Sequence, residues 1–465
     1  MSSLASLDHK YLWHPFTQMR DWLVREPVII VSGKGTVLRD SRGREYLDAN
    51  ASIWVNLHGH CHPKINAAIT KQLGKIAHSS ALGFASEPAS YLGEKLIRLV
   101  HFGKGPELEK VFYGDDGSTS IEAALKMAYQ FAIRTAPGRK PKFVSIAGAY
   151  HGDTVGAVSV GHIDRFHQAY GGLLFKSDQV PSPYCYRCPF NRAKPERADA
   201  REYRKCDWEC VARIDQKFAA QKKKGNPYAG FVFEPLMQGS AGMVAQPEGW
   251  LRRAAAIARE HGALLIADEV MTGFGRTGSL FACHKESVRP DLMALAKGLS
   301  GGYMPMAATL ATRKIFDVFL GRYDEFKTFF HGHSFAANQL GAAASLASLE
   351  ILQSKQCVAA RRMLEKTLRA ELRSLWDLPA VGDIRQVGVV AGVELVKDWK
   401  TRTPYAPGKR VGIRVCEAMA RRGVLTRPVG DVIVLLLPYC ATEAQAIRIV
   451  AALREAVAEV CRGAR

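Results

Sequence analysis

Two periods of apolar residues alternate through the middle of the chain. Short apolar runs occur at 111–113, 143–146, 231–233, 263–267 and 292–296, broken only by Ser145. Each is three to five residues long and bounded by polar or turn residues, the pattern of strands buried on both faces. Between them the spacing switches to that of a helix. Ile121, Leu125, Ala128 and Ala132 share one face of a segment at 121–134, and 250–261 is amphipathic and stopped by Gly262. Strands alternating with helices predict a mainly parallel α/β sheet. Such sheets collect ligands at the carboxyl ends of their strands. Asp268, Glu234, Gly117 and Lys297 all fall just past predicted strand ends, so one site could gather them.

The pattern changes toward the C-terminus. Helical stretches near 340–375 and 409–422 flank strand-like segments at 387–396 and 432–437, which predicts a smaller α+β domain. Residues 28–47 have hairpin character, with turns expected at Gly33 and at Ser41-Arg42-Gly43, and are expected to join that smaller domain. A chain of 465 residues exceeds what one core usually serves. The expected division is an N-terminal segment 1–59 joining the small domain, a large domain 60–345 and a C-terminal small domain 346–465.

Composition narrows the class. With 47% hydrophobic residues the expectation is a soluble globular protein with a large core. No apolar run approaches the roughly 18 residues of a membrane-spanning helix. The start, Met1-Ser2-Ser3-Leu4, lacks the basic and apolar regions of a signal peptide, so the cytoplasm is the expected compartment. The net charge of +20 raises nucleic-acid binding, but the basic residues are scattered and no nucleic-acid motif accompanies them. The longest basic run, Lys222-Lys223-Lys224 before Gly225-Asn226-Pro227, reads as a solvated turn. Neither nucleic acid nor membrane is an expected partner. Ten cysteines are too few for a disulfide scaffold at this length. Cys185, Cys188, Cys206 and Cys210 have a spacing compatible with tetrahedral zinc, but no other zinc-ribbon signature accompanies them. Reduced thiols in a loop are the favoured reading, and no metal is assigned.

The chemistry centres on Lys297, between the run Leu292-Met293-Ala294-Leu295-Ala296 and the glycines Gly298, Gly301 and Gly302. A lysine at the end of a buried strand loses water, which lowers its pKa. Its neutral amine can then form a Schiff base with an aldehyde. Gly114-Asp115-Asp116-Gly117-Ser118-Thr119-Ser120 links a strand to a helix, whose free N–H groups and dipole favour a phosphate. Asp268 ends a buried strand, where a carboxylate is costly unless paired. Tyr150, in Tyr150-His151-Gly152, could stack on a ring. Together these are the parts of a pyridoxal phosphate site. Arg427, in Thr426-Arg427-Pro428, could hold a substrate carboxylate through two parallel hydrogen bonds. Arg276 is a second candidate, with a loop-stabilising role as the alternative.

The motifs Ala267-Asp268-Glu269-Val270-Met271-Thr272-Gly273-Phe274-Gly275-Arg276-Thr277-Gly278 and Ala296-Lys297-Gly298 carry a resemblance. The chain resembles the class III aminotransferases, pyridoxal phosphate enzymes of fold type I. Trp13-His14-Pro15-Phe16-Thr17-Gln18-Met19, Tyr150-His151-Gly152-Asp153-Thr154 and His331-Gly332-His333-Ser334-Phe335 narrow it to the biotin-pathway branch of that class. The resemblance implies a large domain on a mainly parallel seven-stranded sheet with a smaller α+β domain. It implies a homodimer with active sites at the interface. The implied reaction aminates 8-amino-7-oxononanoate, with S-adenosylmethionine or lysine as donor, in two half-reactions.

By the same resemblance Lys297 is the Schiff-base lysine and Asp268 partners the ring nitrogen. Gly117 and Ser118 bind the phosphate, completed by Ser334 from the other subunit. Tyr150 stacks on one ring face, Val270 packs on the other, and Gln238 contacts the ring hydroxyl. Lys297, Asp268 and Tyr150 are thus the expected catalytic residues. Arg427 would hold the substrate carboxylate, and Phe16, Trp54, Asp153 and Gly332 would line its channel. Phe16 stands where many of the branch have tyrosine, Ile53 where some have a second tryptophan, and Ser334 where threonine is commoner. The first two leave the amino donor open. The nearest rival is an ω-amino acid or polyamine:pyruvate aminotransferase of the same class. A decarboxylase or aminomutase on the same fold, and a zinc-dependent interaction protein, are more distant alternatives.

Overall fold

The computed structural model describes residues 3–103 and 107–462. Met1 and Ser2, read above for a leader, lie outside them, as do the extreme ends of the segments 1–59 and 346–465. Among the described residues no helix is long and apolar enough to cross a membrane.

The central sheet has seven strands. In spatial order they are Leu108–Gly114, Ala307–Thr312, Leu292–Leu295, Leu264–Asp268, Gly230–Phe233, Phe143–Ile146 and Asp178–Val180. All pairings are parallel except those of Ala307–Thr312, which runs against both neighbours. The apolar runs follow from burial on both faces. In the strand Leu264–Asp268, Leu264 and Ile266 enter one core cluster, while Leu265 and Ala267 enter the other. Burying one such leucine or isoleucine contributes roughly 1.5–3 kcal/mol.

The helix Gly117–Thr135 covers one face. Its periodic residues Ile121, Leu125, Ala128 and Ala132 are buried against the same cluster as Val232, Ile266 and Ala294. A reciprocal cap sets its start. The Asp116 carboxylate accepts from the Thr119 N–H at 3.0 Å, and the Thr119 hydroxyl oxygen accepts from the Asp116 N–H at 3.0 Å. Pro137 and Gly138 follow its end.

Two four-stranded sheets and the short pair Met237–Gln238 with Val244–Ala245 complete the strands. Val381–Val387, Val390–Leu395, Val432–Leu436 and Pro428–Val429 form an antiparallel sheet in that order. Ile30–Lys34, Val37–Asp40 and Glu45–Asp48 form a meander, and Glu45–Asp48 pairs in parallel with Val424–Leu425.

Several expectations change. The first N-terminal turn is at Gly35, whose φ of 57° needs glycine's freedom, while Gly33 lies inside the strand. The segment at 387–396 is the second arm of a hairpin turned at Gly388, and its first arm begins at Val381. The stretch 340–375 is divided at Ser354, whose hydroxyl caps the helix Lys355–Leu372 by accepting from the Cys357 N–H. Lys222 and Lys223 are the last turn of the helix Glu209–Lys223, and Lys224 is its cap, so the basic run is helix end rather than turn. There the three cations meet the negative end of the helix dipole.

Candidate active site

The strand ends converge on a cavity of about 470 Å³. Asp268 is the last residue of its strand, Glu234 follows Phe233, and Lys297 lies two residues past Leu295. All three line this inner chamber, with Gly117, Ser118, Tyr150 and Val270. A second, outer chamber of about 890 Å³ shares Trp54, Tyr150, Ser240 and Lys297 with it and opens past Phe16, Arg165 and Arg427.

Lys297 stands in a left-handed backbone conformation, φ 45°. That geometry costs a non-glycine residue roughly 1–3 kcal/mol and marks a position fixed by its surroundings. Its Nζ lies 4.9 Å from the centre of the Trp54 ring. Burial pushes this amine below the ordinary lysine range, and the nearby Arg276 guanidinium adds to that, while Asp268 and Glu234 oppose it. Burial likewise pushes the Glu234 carboxyl up to about 7, with Asp268 adding and His151 opposing. Glu234 accepts from the N–H groups of Gly239 at 2.8 Å and Tyr150 at 3.3 Å.

Asp268 is held on both sides. One carboxylate oxygen lies 2.7 Å from His151 Nδ1, and the other accepts from the Val270 N–H at 3.0 Å. The His151 side chain is fully buried, and its Nε2 has no partner among the described residues. Tyr150 donates its hydroxyl to Asp153 at 2.7 Å. Burial first, and then that bond, raise the Tyr150 hydroxyl above the usual range, so it stays protonated as a donor.

Gly117 has a steric reason. A Cβ there would sit 2.8 Å from Val270 Cγ1, so any side chain would close the slot between them. Beside it the Gly117 and Ser118 N–H groups are used by none of the described hydrogen bonds, at the positive end of a 19-residue helix.

These features can be set beside known proteins. A family description, aminotransferase class III, matches residues 20–457. The chain belongs to the class III aminotransferases. It is 44% identical to the adenosylmethionine-8-amino-7-oxononanoate aminotransferase of Geobacter sulfurreducens, over 99% of this chain and 98% of that one. It is 46% identical to the enzyme of the same name from Nitratidesulfovibrio vulgaris, over 98% of this chain and 82% of that one. Among solved structures it superposes on the Methanocaldococcus jannaschii adenosylmethionine-8-amino-7-oxononanoate aminotransferase with a TM-score of 0.89 and 38% identity, over 98% of each chain. It superposes on an ω-transaminase from Pseudomonas jessenii in complex with PMP with a TM-score of 0.90 and 27% identity, over 100% and 99% of the two chains. The protein is therefore an aminotransferase of the class, on the fold type I architecture.

The class depends on pyridoxal phosphate, and the inner chamber fits that group. It offers a desolvated amine, a buried carboxylate already oriented by His151, Tyr150 and Val270 on its wall, and free N–H groups at a helix start.

Not every expected residue lines the chambers. Gln238 is fully buried behind the wall, with its amide nitrogen donating to the Ala147 carbonyl at 3.0 Å and its oxygen accepting from Ser182 at 2.6 Å. Asp153 is exposed and reaches the site through Tyr150. Gly332 and Ser334 lie on an exposed loop and line neither chamber of their own chain. Arg276, the second carboxylate candidate, is buried and donates to the carbonyls of Leu437, Asn56 and Trp54, which makes it a clamp on the backbone. Cys185 and Cys210 are buried, and burial pushes their thiols up to about 12 and about 11.

The sequence placed Glu234 at the gathering strand ends without giving it a role, and His151 was passed over although it stood inside a quoted motif. The available signal was position, since each follows a strand whose neighbours carry the chemistry.

Proposed function

We propose that this aminotransferase carries an amino group to the C7 ketone of 8-amino-7-oxononanoate, with pyridoxal phosphate as cofactor and S-adenosylmethionine or lysine as donor. The observation that carries this reading is the junction at Trp54 and Lys297. There an amine poised for proton transfer opens both into the cofactor-sized inner chamber and into a long outer chamber with Arg427 on its rim. The names of the relatives support the acceptor.

Pyridoxal phosphate, when bound, supplies a ring that withdraws electrons from the substrate carbon. Asp268 keeps the ring nitrogen protonated, and His151 holds that carboxylate in place. Gly117 and Ser118 hold the phosphate, while Tyr150 and Val270 fix the ring plane. Lys297 Nζ takes the proton from the amine-bearing carbon of the donor, and in the second half-reaction delivers one to C7 of the acceptor. Trp54 and Phe16 wall off water, and Arg427 holds the acceptor carboxylate through a charge-assisted pair.

Ser334 and Gly332 belong to the neighbouring subunit's site in this reading. Support comes from the exposed apolar residues Phe335, Phe330, Phe84 and Leu82, which a homodimer would cover. Segments 1–59 and 346–465 act as one small domain around the large domain 60–345, as the pairing of Glu45–Asp48 with Val424–Leu425 favours.

The test is a half-reaction screen. Holoenzyme is mixed with each donor, its absorbance is followed to the amine form of the cofactor, and 8-amino-7-oxononanoate is then added. Return of the starting spectrum with formation of 7,8-diaminononanoate is expected. Efficient return with pyruvate and none with 8-amino-7-oxononanoate would replace this reading with an ω-amino acid transaminase.

A further inference from the structure

Residues 51–54 form one turn of left-handed helix. The φ angles of Ala51, Ser52, Ile53 and Trp54 are 44°, 49°, 62° and 71°. The turn is hydrogen-bonded, with the Trp54 N–H donating to the Asn50 carbonyl and the Val55 N–H to the Ala51 carbonyl, each at 2.9 Å. None of the four residues is glycine, and each L-residue in this conformation opposes the turn through its Cβ. Something must therefore hold it.

Arg276 clamps the far end through the Trp54 and Asn56 carbonyls, and the side-chain contacts within the turn converge on one buried carboxylate. One oxygen of Asp48 accepts from the N–H groups of Asn50 and Ser52, each at 3.2 Å. The other accepts from the Ser52 hydroxyl at 3.0 Å and faces His60 Nε2 at 3.1 Å. Asn50, so oriented, accepts from the Trp54 indole N–H at 2.9 Å. The Trp54 ring then lies against Lys297 Nζ and lines both chambers. A chain of bonds thus runs from Asp48 through the left-handed turn to the wall of the reacting amine.

We propose that Asp48 is a positioning residue for transamination, holding the left-handed turn 51–54 so that Trp54 stands at the junction of the two chambers beside Lys297. The catalytic part of this inference rests on the function proposed above. Asp48 itself lines neither chamber, so its effect passes through Trp54.

Glycine supplies the decisive test, because it adopts positive φ without the Cβ penalty. Ala51 lines neither chamber, so Ala51→Gly frees the backbone there and leaves the chamber walls intact, at the cost of one buried methyl. Two measurements are made on the full chain. The first is hydrogen exchange of residues 50–57 in the apoprotein, which needs no cofactor. The second is kcat and KM of the holoenzyme. Asp48→Asn should speed exchange of 50–57 by about ten-fold, with other segments unchanged. It should lower kcat about ten-fold with cofactor affinity kept. Adding Ala51→Gly should restore both to within about three-fold.

Unchanged exchange at 50–57 in Asp48→Asn, or a defect that Ala51→Gly leaves in place, would overturn the inference. Should Asp48→Asn fail to fold, the exposed Ser52→Ala removes one of the same bonds and should speed exchange of 50–57 about three-fold. A wild-type rate there overturns it equally. If the wild-type enzyme leaves 8-amino-7-oxononanoate untouched, the proposed substrate falls while the exchange arm still decides whether Asp48 holds the turn.

Discussion

The two chambers that meet at Lys297 are opposite in charge. The inner one is lined by Asp115, Asp116, Glu234 and Asp268, with Lys297 as its cation. The outer one has Arg165, Arg427 and Lys297 on its wall, and no carboxylate among the described residues. They also differ in construction. The inner groups stand on the ends of parallel strands and the start of a capped helix, elements fixed by burial on both faces. The outer wall comes from an N-terminal segment, a left-handed turn, the one-turn helix Asp164–His167 with the residues before it, and the rim of the small sheet. Reacting groups need fixed positions and sit on regular elements. Groups that select a substrate by its far end sit on irregular segments.

The largest effect should come from removing Lys297, the one amine among the four residues both chambers share. Lys297→Ala is expected to lower transamination by about 10⁴-fold or more, since it deletes both the linking amine and the proton carrier. Cofactor should still bind through its phosphate, which absorbance after dialysis measures. Near-normal turnover would place the chemistry elsewhere.

Next in size is the inner carboxylate. Asp268→Asn should keep the fold, because its bond from the Val270 N–H survives, and should lower kcat by about 10²-fold. An unchanged rate would make the Asp268–His151 pair a structural feature only.

Glu234 sharpens the contrast without any substrate. Burial holds its carboxyl at about 7 in the folded chain against an ordinary 4.5. The folded state therefore keeps a proton that the unfolded chain releases. The stability this lends is complete below about 4.5 and is lost as pH rises through about 7. Urea titrations of the apoprotein should show that fall, worth roughly 10²-fold in the folding equilibrium. Glu234→Gln should flatten it. A variant with the wild-type slope would mean that Glu234 ionises freely.

The same contrast explains what could be read from the chain. Apolar runs fixed the parallel strands, and Asp268, Glu234, Gly117 and Lys297 were found by their places past strand ends. The strands Asp178–Val180 and Ala307–Thr312 were missed. The first is only three residues long, and the second, Ala307-Ala308-Thr309-Leu310-Ala311-Thr312, mixes small residues without a clear period. The left-handed turn was not legible, because Ala-Ser-Ile-Trp contains no glycine and local propensity gives no hint of positive φ. Its cause is tertiary, in the bonds to Asp48. Gln238 was placed on the cofactor from its motif, whereas its amide is engaged by Ala147 and Ser182 behind the wall.

The outer chamber gives the mildest test and the most selective one. Arg427 is exposed, sits between Val424–Leu425 and Pro428–Val429, and has no ion-pair partner among the described residues. A guanidinium left unpaired on a carboxylate-free wall is free to meet an anionic ligand as a bidentate donor. Arg427→Ala should raise the KM for 8-amino-7-oxononanoate about ten- to a hundred-fold, the loss expected for a charge-assisted hydrogen-bonded pair worth roughly 1.5–3 kcal/mol. The inner chamber should not register the change, so cofactor affinity and kcat should hold. The donor half-reaction distinguishes two arrangements. A small donor effect means that Arg427 serves the acceptor alone, leaving Arg165 on the same rim as the cation for the donor carboxylate. Equal losses in both half-reactions mean that one arginine receives each substrate in turn. An unchanged KM for 8-amino-7-oxononanoate would remove Arg427 from the binding site and leave the outer wall's charge without the carboxylate that accounts for it.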